Sequence, residues 1–119
     1  MKNIRIKRVY DEPEPEDGKR ILVDRLWPRG LTKERARIDL WLKDIAPSTA
    51  LRKWFAHDRE KWAEFQKRYR LELKENSDRD AVSLLKREAT NLPVTLLYGA
   101  KDEKLNEAVV LQAILKSSK

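Results

Sequence analysis

Apolar and polar residues follow a strand-like pattern in three short stretches of the chain. Residues 3–10 (NIRIKRVY) alternate apolar and basic side chains at their start, which predicts a strand with one apolar face. Residues 19–27 (KRILVDRLW) contain the unbroken apolar run ILV, typical of a parallel strand that is buried on both faces. Residues 94–99 (VTLLYG) follow a proline and predict a third strand.

Between the second and third predicted strands, the apolar spacing changes to the three- and four-residue steps of helices. We predict a first helix that is capped by Thr32, carries its apolar side over residues 38–45 and ends at Pro47. Ser48 then caps a short helix, and Asp58 caps a long one. The long helix places four residues on one face: Trp62, Phe65, Tyr69 and Leu73. Further helices are predicted around residues 82–85, with residues 76–78 as a break or new cap, and through residues 108–115.

The predicted order is therefore strand, strand, several helices, strand and helix. No internal repeat and no linker rich in glycine or serine divides the chain, so residues 1–119 are interpreted as a single domain. We expect the α/β class, with a small, mostly parallel sheet flanked by helices. The acidic, proline-rich stretch 11–18 (DEPEPEDG) is expected to be an exposed loop.

Composition narrows the classes of function. The chain has no cysteine and one histidine, so thiol chemistry and histidine-rich zinc sites are excluded. Only carboxylate or mixed oxygen ligation is left for a metal, and no metal-binding residue is predicted. It has no apolar run long enough to span a bilayer and no secretory signal, so a cytoplasmic protein with no membrane partner is expected. The net charge of +7 is compatible with an anionic partner, although the interspersed acids favour the simpler interpretation of a solvated surface.

The ends of the predicted strands concentrate residues that could bind an anion. If the strands run parallel, their carboxyl ends meet at one edge of the sheet, where α/β proteins bind ligands. That edge would collect the basic residues Arg8, Arg25, Arg29 and Lys101. Tyr10, Trp27 and Tyr98 would form the walls, Asn106 would orient the ligand, and Gly30 would allow close approach of the backbone.

Two alternatives stay open for these residues. Asp24 and Asp102 are the candidates for proton transfer, yet Asp24 could equally hold an arginine in place. Trp27 could simply lock the turn that contains Pro28. His57 is interpreted as a surface or capping residue, and the other tryptophans as core residues.

Several longer segments are similar to the YeaO-like proteins, the family of the domain of unknown function numbered 488. They are RILVDRLWPRG (20–30), WLKDIAPSTALRKWFAHD (41–58), EFQKRY followed by Glu72-Leu73, and VTLLYGAKD with Asn106-Glu107-Ala108. The resemblance implies a single α/β domain with a parallel sheet, and no established activity. It also marks signature positions: Arg25, Trp27, Pro28, Arg29, Gly30, Ser48, Arg52, Lys101 and Asn106. Longer relatives carry a cysteine motif near the last strand, which this chain lacks.

Ser48 and Arg52 are four residues apart, so they share a face of the predicted short helix. We expect the start of this helix to face the strand ends and to share an anion with Arg25 or Arg29. The leading hypothesis is a pocket for a small phosphate- or carboxylate-bearing ligand. The alternative is a nucleic-acid-binding or regulatory module that uses the basic surface. The sequence leaves open whether the protein is an enzyme, which cofactor it uses and whether it forms oligomers.

Overall fold

Four parallel strands form one sheet in the order β1-β4-β2-β3. The computed structural model describes residues 3–91 and 93–117, and of residues 76–79 and 91 the backbone only. The strands are β1 (Ile4–Arg8), β2 (Lys19–Leu22), β3 (Leu40–Trp41) and β4 (Val94–Tyr98). The helices are α1 (Lys33–Ala36), α2 (Thr49–Phe55), α3 (Trp62–Glu72), α4 (Asn76–Asn91) and α5 (Glu107–Ser117). The expected α/β fold with a small parallel sheet is therefore confirmed.

β4 lies between β1 and β2, and both neighbours pair with it from Val94 onward. Because parallel pairing aligns the strand directions, the carboxyl ends of β1, β4 and β2 lie side by side. Val23 continues the pairing one residue beyond β2 by donating its N–H to the Leu97 carbonyl at 3.1 Å. The segment from Asp24 onward then leaves the sheet as a loop.

Both faces of the sheet are buried, as the unbroken apolar run in β2 predicts. Ile21 and Val23 contact the larger core, together with residues from α2, α3, α4 and α5. Leu22 faces the other way and packs with Val9 and Leu97 in a smaller cluster. That second face is covered by Trp27, Leu31, Ile38 and Trp41, which come from β3 and the loops around α1. The four longer helices thus occupy one face of the sheet, and loops cover the other.

The helix predicted to follow Thr32 and to carry apolar residues 38–45 is wrong. Thr32 does cap a helix, but α1 ends after four residues because Arg37 adopts a left-handed conformation with φ of 48°. The chain then runs extended as β3, which pairs with β2. The spacing of the apolar residues 38–45 fits a helix. The backbone N–H and C=O groups of β3 nevertheless form hydrogen bonds to β2, in place of the hydrogen bonds that they would have formed within a longer α1.

The acidic loop 11–18 is also not wholly exposed. Asp17 is buried and accepts a hydrogen bond from Arg20 Nη1 at 2.6 Å, while Lys7 Nζ lies 3.2 Å from the same carboxylate. Burial works against the charge of Asp17, yet the N–H of Glu14 and these two cations together leave its pKa below the ordinary value. The loop is therefore held against the amino end of the sheet.

The remaining helix predictions are confirmed, except that Asp58 caps a short 3₁₀ helix (Arg59–Lys61) that leads directly into α3. Ser48 caps α2, Asp58 accepts a hydrogen bond from the N–H of Glu60 just before α3, and the last helix spans the predicted residues. The predicted aromatic face of α3 lies against the larger core. The break expected at residues 76–78 coincides with the start of α4, but the side chains there lie outside the described residues. Within the described chain, no helix combines the length and apolar character needed to cross a bilayer.

Candidate functional site

The loops that follow β2 and β4 are joined at the carboxyl edge of the sheet. The Gly99 N–H donates to Asp24 Oδ2 at 2.8 Å. Arg8, at the end of β1, donates through Nε to the Ala100 carbonyl at 3.0 Å and lies over the Tyr10 ring. The structure therefore brings the ends of three strands together, with Asp24 between two of them.

A cavity of about 150 Å³ opens beside Asp24. It lies between the loops after β2 and β4, helix α2 with the turn that follows it, and the start of α5. Six residues with polar or charged side chains line it: Asp24, Arg25, Arg52, His57, Asn106 and Glu107. Six apolar residues complete the wall: Ala46, Pro47, Phe55, Phe65, Ala100 and Leu105. Across the part of the chain that the structure describes, no three His, Asp or Glu side chains are grouped to hold a metal ion.

Asp24 and Glu107 form a hydrogen-bonded pair of carboxyl groups in this cavity. Burial raises the pKa of Glu107 well above its ordinary value, and the hydrogen bond to Asp24 and its negative charge raise that pKa further. The backbone N–H of Glu107 and the Arg52 charge oppose this shift without cancelling it. Glu107 is therefore the carboxyl group of the pair whose protonated form the cavity favours, and Asp24 also accepts the Gly99 N–H.

The two arginines of the cavity differ in the hydrogen bonds that their side chains form with the protein. Arg25 Nη2 donates to the Ala46 carbonyl at 3.1 Å, and its Nε to the Pro47 carbonyl at 3.4 Å, so it braces the chain before α2. Arg52 is exposed on α2 and lines the cavity, but makes no hydrogen bond or ion pair with any described residue through its side chain. A guanidinium with five donors is thus directed to the cavity without a protein acceptor.

The start of α2 already holds an anion that belongs to this chain. The N–H of Ser48 donates to Glu72 Oε1 at 2.8 Å, and its Oγ donates to Glu72 Oε2 at 2.6 Å. The same Oγ accepts the Leu51 N–H at 3.1 Å. Ser48 is therefore a helix cap fixed by the end of α3, and it does not line the cavity. Arg52, one turn later, does.

The second half of the DRLWPRG segment lies away from the cavity. Trp27 donates its indole N–H to the Leu31 carbonyl at 2.7 Å and packs edge-on against Trp41, with ring centroids 5.4 Å apart. Arg29 is exposed, and its carbonyl accepts the Tyr10 hydroxyl at 3.0 Å. Gly30 has a φ of 81°, which suits a glycine at this turn. The structure thus separates Arg29 from the cavity that Arg25 and Arg52 share.

The loop after β4 contributes one predicted residue to the cavity. Asn106 caps α5 by accepting the Val109 N–H at 3.1 Å, and its amide donates to the Asp102 carbonyl. Asp102 itself is not in the cavity wall, and the N–H groups of Lys104 and Leu105 lower its pKa. Tyr98 is buried in the core, and this burial raises the pKa of its hydroxyl. Lys101 is exposed and is not part of the wall either.

Three residues of the cavity wall, Glu107, His57 and Phe55, are not among the site residues that the sequence predicts. Glu107 stands beside Asn106 in a segment that carries the family resemblance, so its position was a usable signal. His57 reaches the cavity because Ala56 and His57 both adopt left-handed backbone conformations, with φ of 46° and 58°. Neither is a glycine, so the sequence carries no signal for this turn.

Comparison with known proteins agrees with the resemblance. The model of the family described as the inactive DUF488-N3 subclade matches residues 3–119. The uncharacterized protein YeaO of Escherichia coli K12 is 46% identical over 115 residues, which cover 97% of this chain and 98% of that protein. An uncharacterized protein of Mycobacterium tuberculosis H37Rv is 38% identical over 112 residues, covering 94% of this chain and 92% of its own. No solved structure matches the chain.

Proposed function

The chain belongs to the DUF488 family, in the subclade described as inactive, and we propose that it binds a small anionic ligand in the cavity beside Asp24. Arg52 is the residue that would hold the negative charge. The carrying observation is that the Arg52 side chain lines the cavity while no described residue accepts a hydrogen bond from it. A guanidinium offers a planar pair of donors that matches a carboxylate or a phosphate.

The charge balance of the cavity supports this proposal. Arg25 and Arg52 contribute two positive charges, and the Asp24 carboxylate contributes one negative charge. The raised pKa of Glu107 disfavours a second negative charge beside Asp24, which would neutralise Arg52. The wall therefore carries an uncompensated positive charge beside an apolar surface, and an anion would balance it.

The contacts of Asp24 favour a positioning role over proton transfer. Its carboxylate accepts the Gly99 N–H and the Glu107 proton, and both contacts tie the loop after β2 to the loop after β4 and to α5. These two contacts occupy about two of the four lone pairs of the Asp24 carboxylate and fix its orientation between the two loops. The description of the subclade as inactive also favours binding without turnover.

A thermal-shift experiment with inorganic phosphate and with acetate tests the proposal. A ligand at ten times its Kd stabilises the folded protein by about 1.4 kcal/mol, which is about 5 °C for a domain of this size. We expect one of the anions to raise the melting temperature of the wild type and of Lys53→Gln, and to have no effect on Arg52→Gln. Lys53 is the matched control because it neighbours Arg52 on α2, is equally exposed and does not line the cavity.

Equal shifts in all three proteins, or no shift in any of them, would contradict the proposal. Binding of a DNA or RNA duplex provides the comparison with the nucleic-acid alternative. A nucleic-acid module would bind the duplex with an affinity that falls steeply with salt, and this affinity would not depend specifically on Arg52.

A further inference from the structure

The size and wall of the cavity limit which anions can fill it. Its volume of about 150 Å³ is close to that of an engineered protein cavity that holds benzene. Phe55 and Phe65 stack with ring centroids 4.4 Å apart and form one side of the wall, and Leu105 lies in it as well. The cavity therefore has room for one apolar ring.

The charge of the cavity limits the ligand further. One positive charge remains after Asp24 is set against the two arginines, so a single negative charge on the ligand is balanced. A phosphate dianion would place its second charge near the Asp24 carboxylate, in a wall that offers it no further free cation among the described residues. It would also give up strong hydration to an apolar wall.

We propose that the ligand is a monoanionic acid with a single flat ring, whose carboxylate pairs with Arg52 and whose ring lies against Phe55 and Phe65. This inference rests on the proposed function and narrows its ligand class. A nucleotide does not fit the same description, because its base alone would fill the cavity and its phosphates would carry more than one negative charge. Glu107 also lines the cavity, and its carboxyl group can accept a hydrogen bond at the ring edge.

Isothermal titration calorimetry with four probes tests this class of ligand: benzoate, acetate, inorganic phosphate and adenosine monophosphate. Benzoate and acetate share the carboxylate and differ in the ring. We expect benzoate to bind the wild type about tenfold or more tightly than acetate, because the ring leaves water for an apolar wall. We expect phosphate and adenosine monophosphate to bind more weakly than benzoate.

Two variants separate the ring contact from the charge contact. Arg52→Gln should weaken the binding of both benzoate and acetate. Ala100→Leu should fill the cavity, so benzoate should bind this variant no more tightly than acetate binds the wild type. Ala113→Leu, at an exposed position on α5 outside the cavity, is the matched control and should leave benzoate binding unchanged. Where Ala100→Leu does not fold, wild-type binding of 1-naphthoate replaces it, since a second fused ring should weaken binding relative to benzoate.

The outcomes distinguish this inference from the proposed function. If no probe binds in an Arg52-dependent way, the proposed function itself fails. If acetate, phosphate or adenosine monophosphate binds through Arg52 as tightly as benzoate, the anion site stands and the single-ring ligand is wrong. If naphthoate binds as tightly as benzoate, or Ala100→Leu binds benzoate normally, the ring does not lie in the cavity and the inference is overturned.

Discussion

Replacing Glu107 by glutamine should make the protein less sensitive to rising pH. In the folded state, burial and the neighbouring Asp24 raise the pKa of Glu107 well above the value of 4.5 that an unperturbed glutamate has. Between these two pKa values, the unfolded chain has lost the proton and the folded chain has kept it. Stability is therefore fully present below the unfolded pKa and falls as pH rises towards the folded pKa.

The magnitude follows from the single proton involved. One proton bound only by the folded state changes the free energy of unfolding by about 1.4 kcal/mol per pH unit at most. The glutamine side chain of the variant has no such proton to lose, and its amide N–H can still donate to the Asp24 carboxylate. The stability of Glu107→Gln should therefore approach that of the wild type at low pH and exceed it increasingly between pH 5 and pH 7.

Urea unfolding at pH 5, 6 and 7 measures this difference directly. Glu103→Gln, an exposed glutamate in the loop before α5, is the control and should follow the wild-type profile. Glu107→Ala should be less stable than Glu107→Gln by about 1.5–3 kcal/mol, because it removes a hydrogen bond to a charged group. The reasoning is refuted if the wild type and Glu107→Gln have parallel pH profiles. The other charged and titratable groups facing Glu107 in the cavity, Asp24, Arg25, Arg52 and His57, are unchanged between them.

Three further changes test contacts that hold the fold together. Ser48→Ala should lower the free energy of unfolding by about 1–2 kcal/mol, since it removes a helix cap, and a double-mutant cycle with Glu72→Gln should show coupling. Asp17→Asn should cost about 3–5 kcal/mol by urea unfolding at neutral pH, because it leaves the buried charge of Arg20 unpaired. Since the folded pKa of Asp17 is lowered, the wild type should lose this stabilisation as pH falls below the ordinary value of 3.8. Gly18→Ala should lower the melting temperature markedly, because its Cβ would lie 2.2 Å from the carbonyl oxygen just before β4 and its φ is 64°.

The spacing of apolar residues predicted most of the long helices and strands, because these elements bury an apolar face in the larger core. The aromatic spacing of α3 and the apolar run of β2 each have one stable arrangement, with that apolar surface against the core. β3 was not predicted, because it has only two residues and forms through its pairing with β2. Its neighbour Arg37 is a non-glycine residue in a left-handed conformation, for which the sequence gives no sign.

The candidate site was predictable in part for the same reason. Parallel strands bring Asp24 and Arg25 to the edge where Asn106 begins α5, and the spacing from Ser48 placed Arg52 on α2. The raised pKa of Glu107 could not be predicted, because it depends on burial and on the carboxylate of Asp24, which lies far away in the sequence. The roles assigned to Arg29, Lys101 and Asp102 rested on nearness in sequence to strand ends, and these residues lie outside the cavity wall.

The order of the strands leaves the sheet with two outer edges, and both are poor templates for another chain. β3 offers only two residues for pairing. β1 is longer, but it carries Arg5 and Lys7, and Gln112 of α5 donates its amide to the Ile4 carbonyl. Short edge strands and charged edge residues oppose the addition of a foreign strand. We therefore expect concentrated solutions of the folded protein to resist strand-mediated aggregation, and charge-neutralising substitutions in β1 to weaken that resistance.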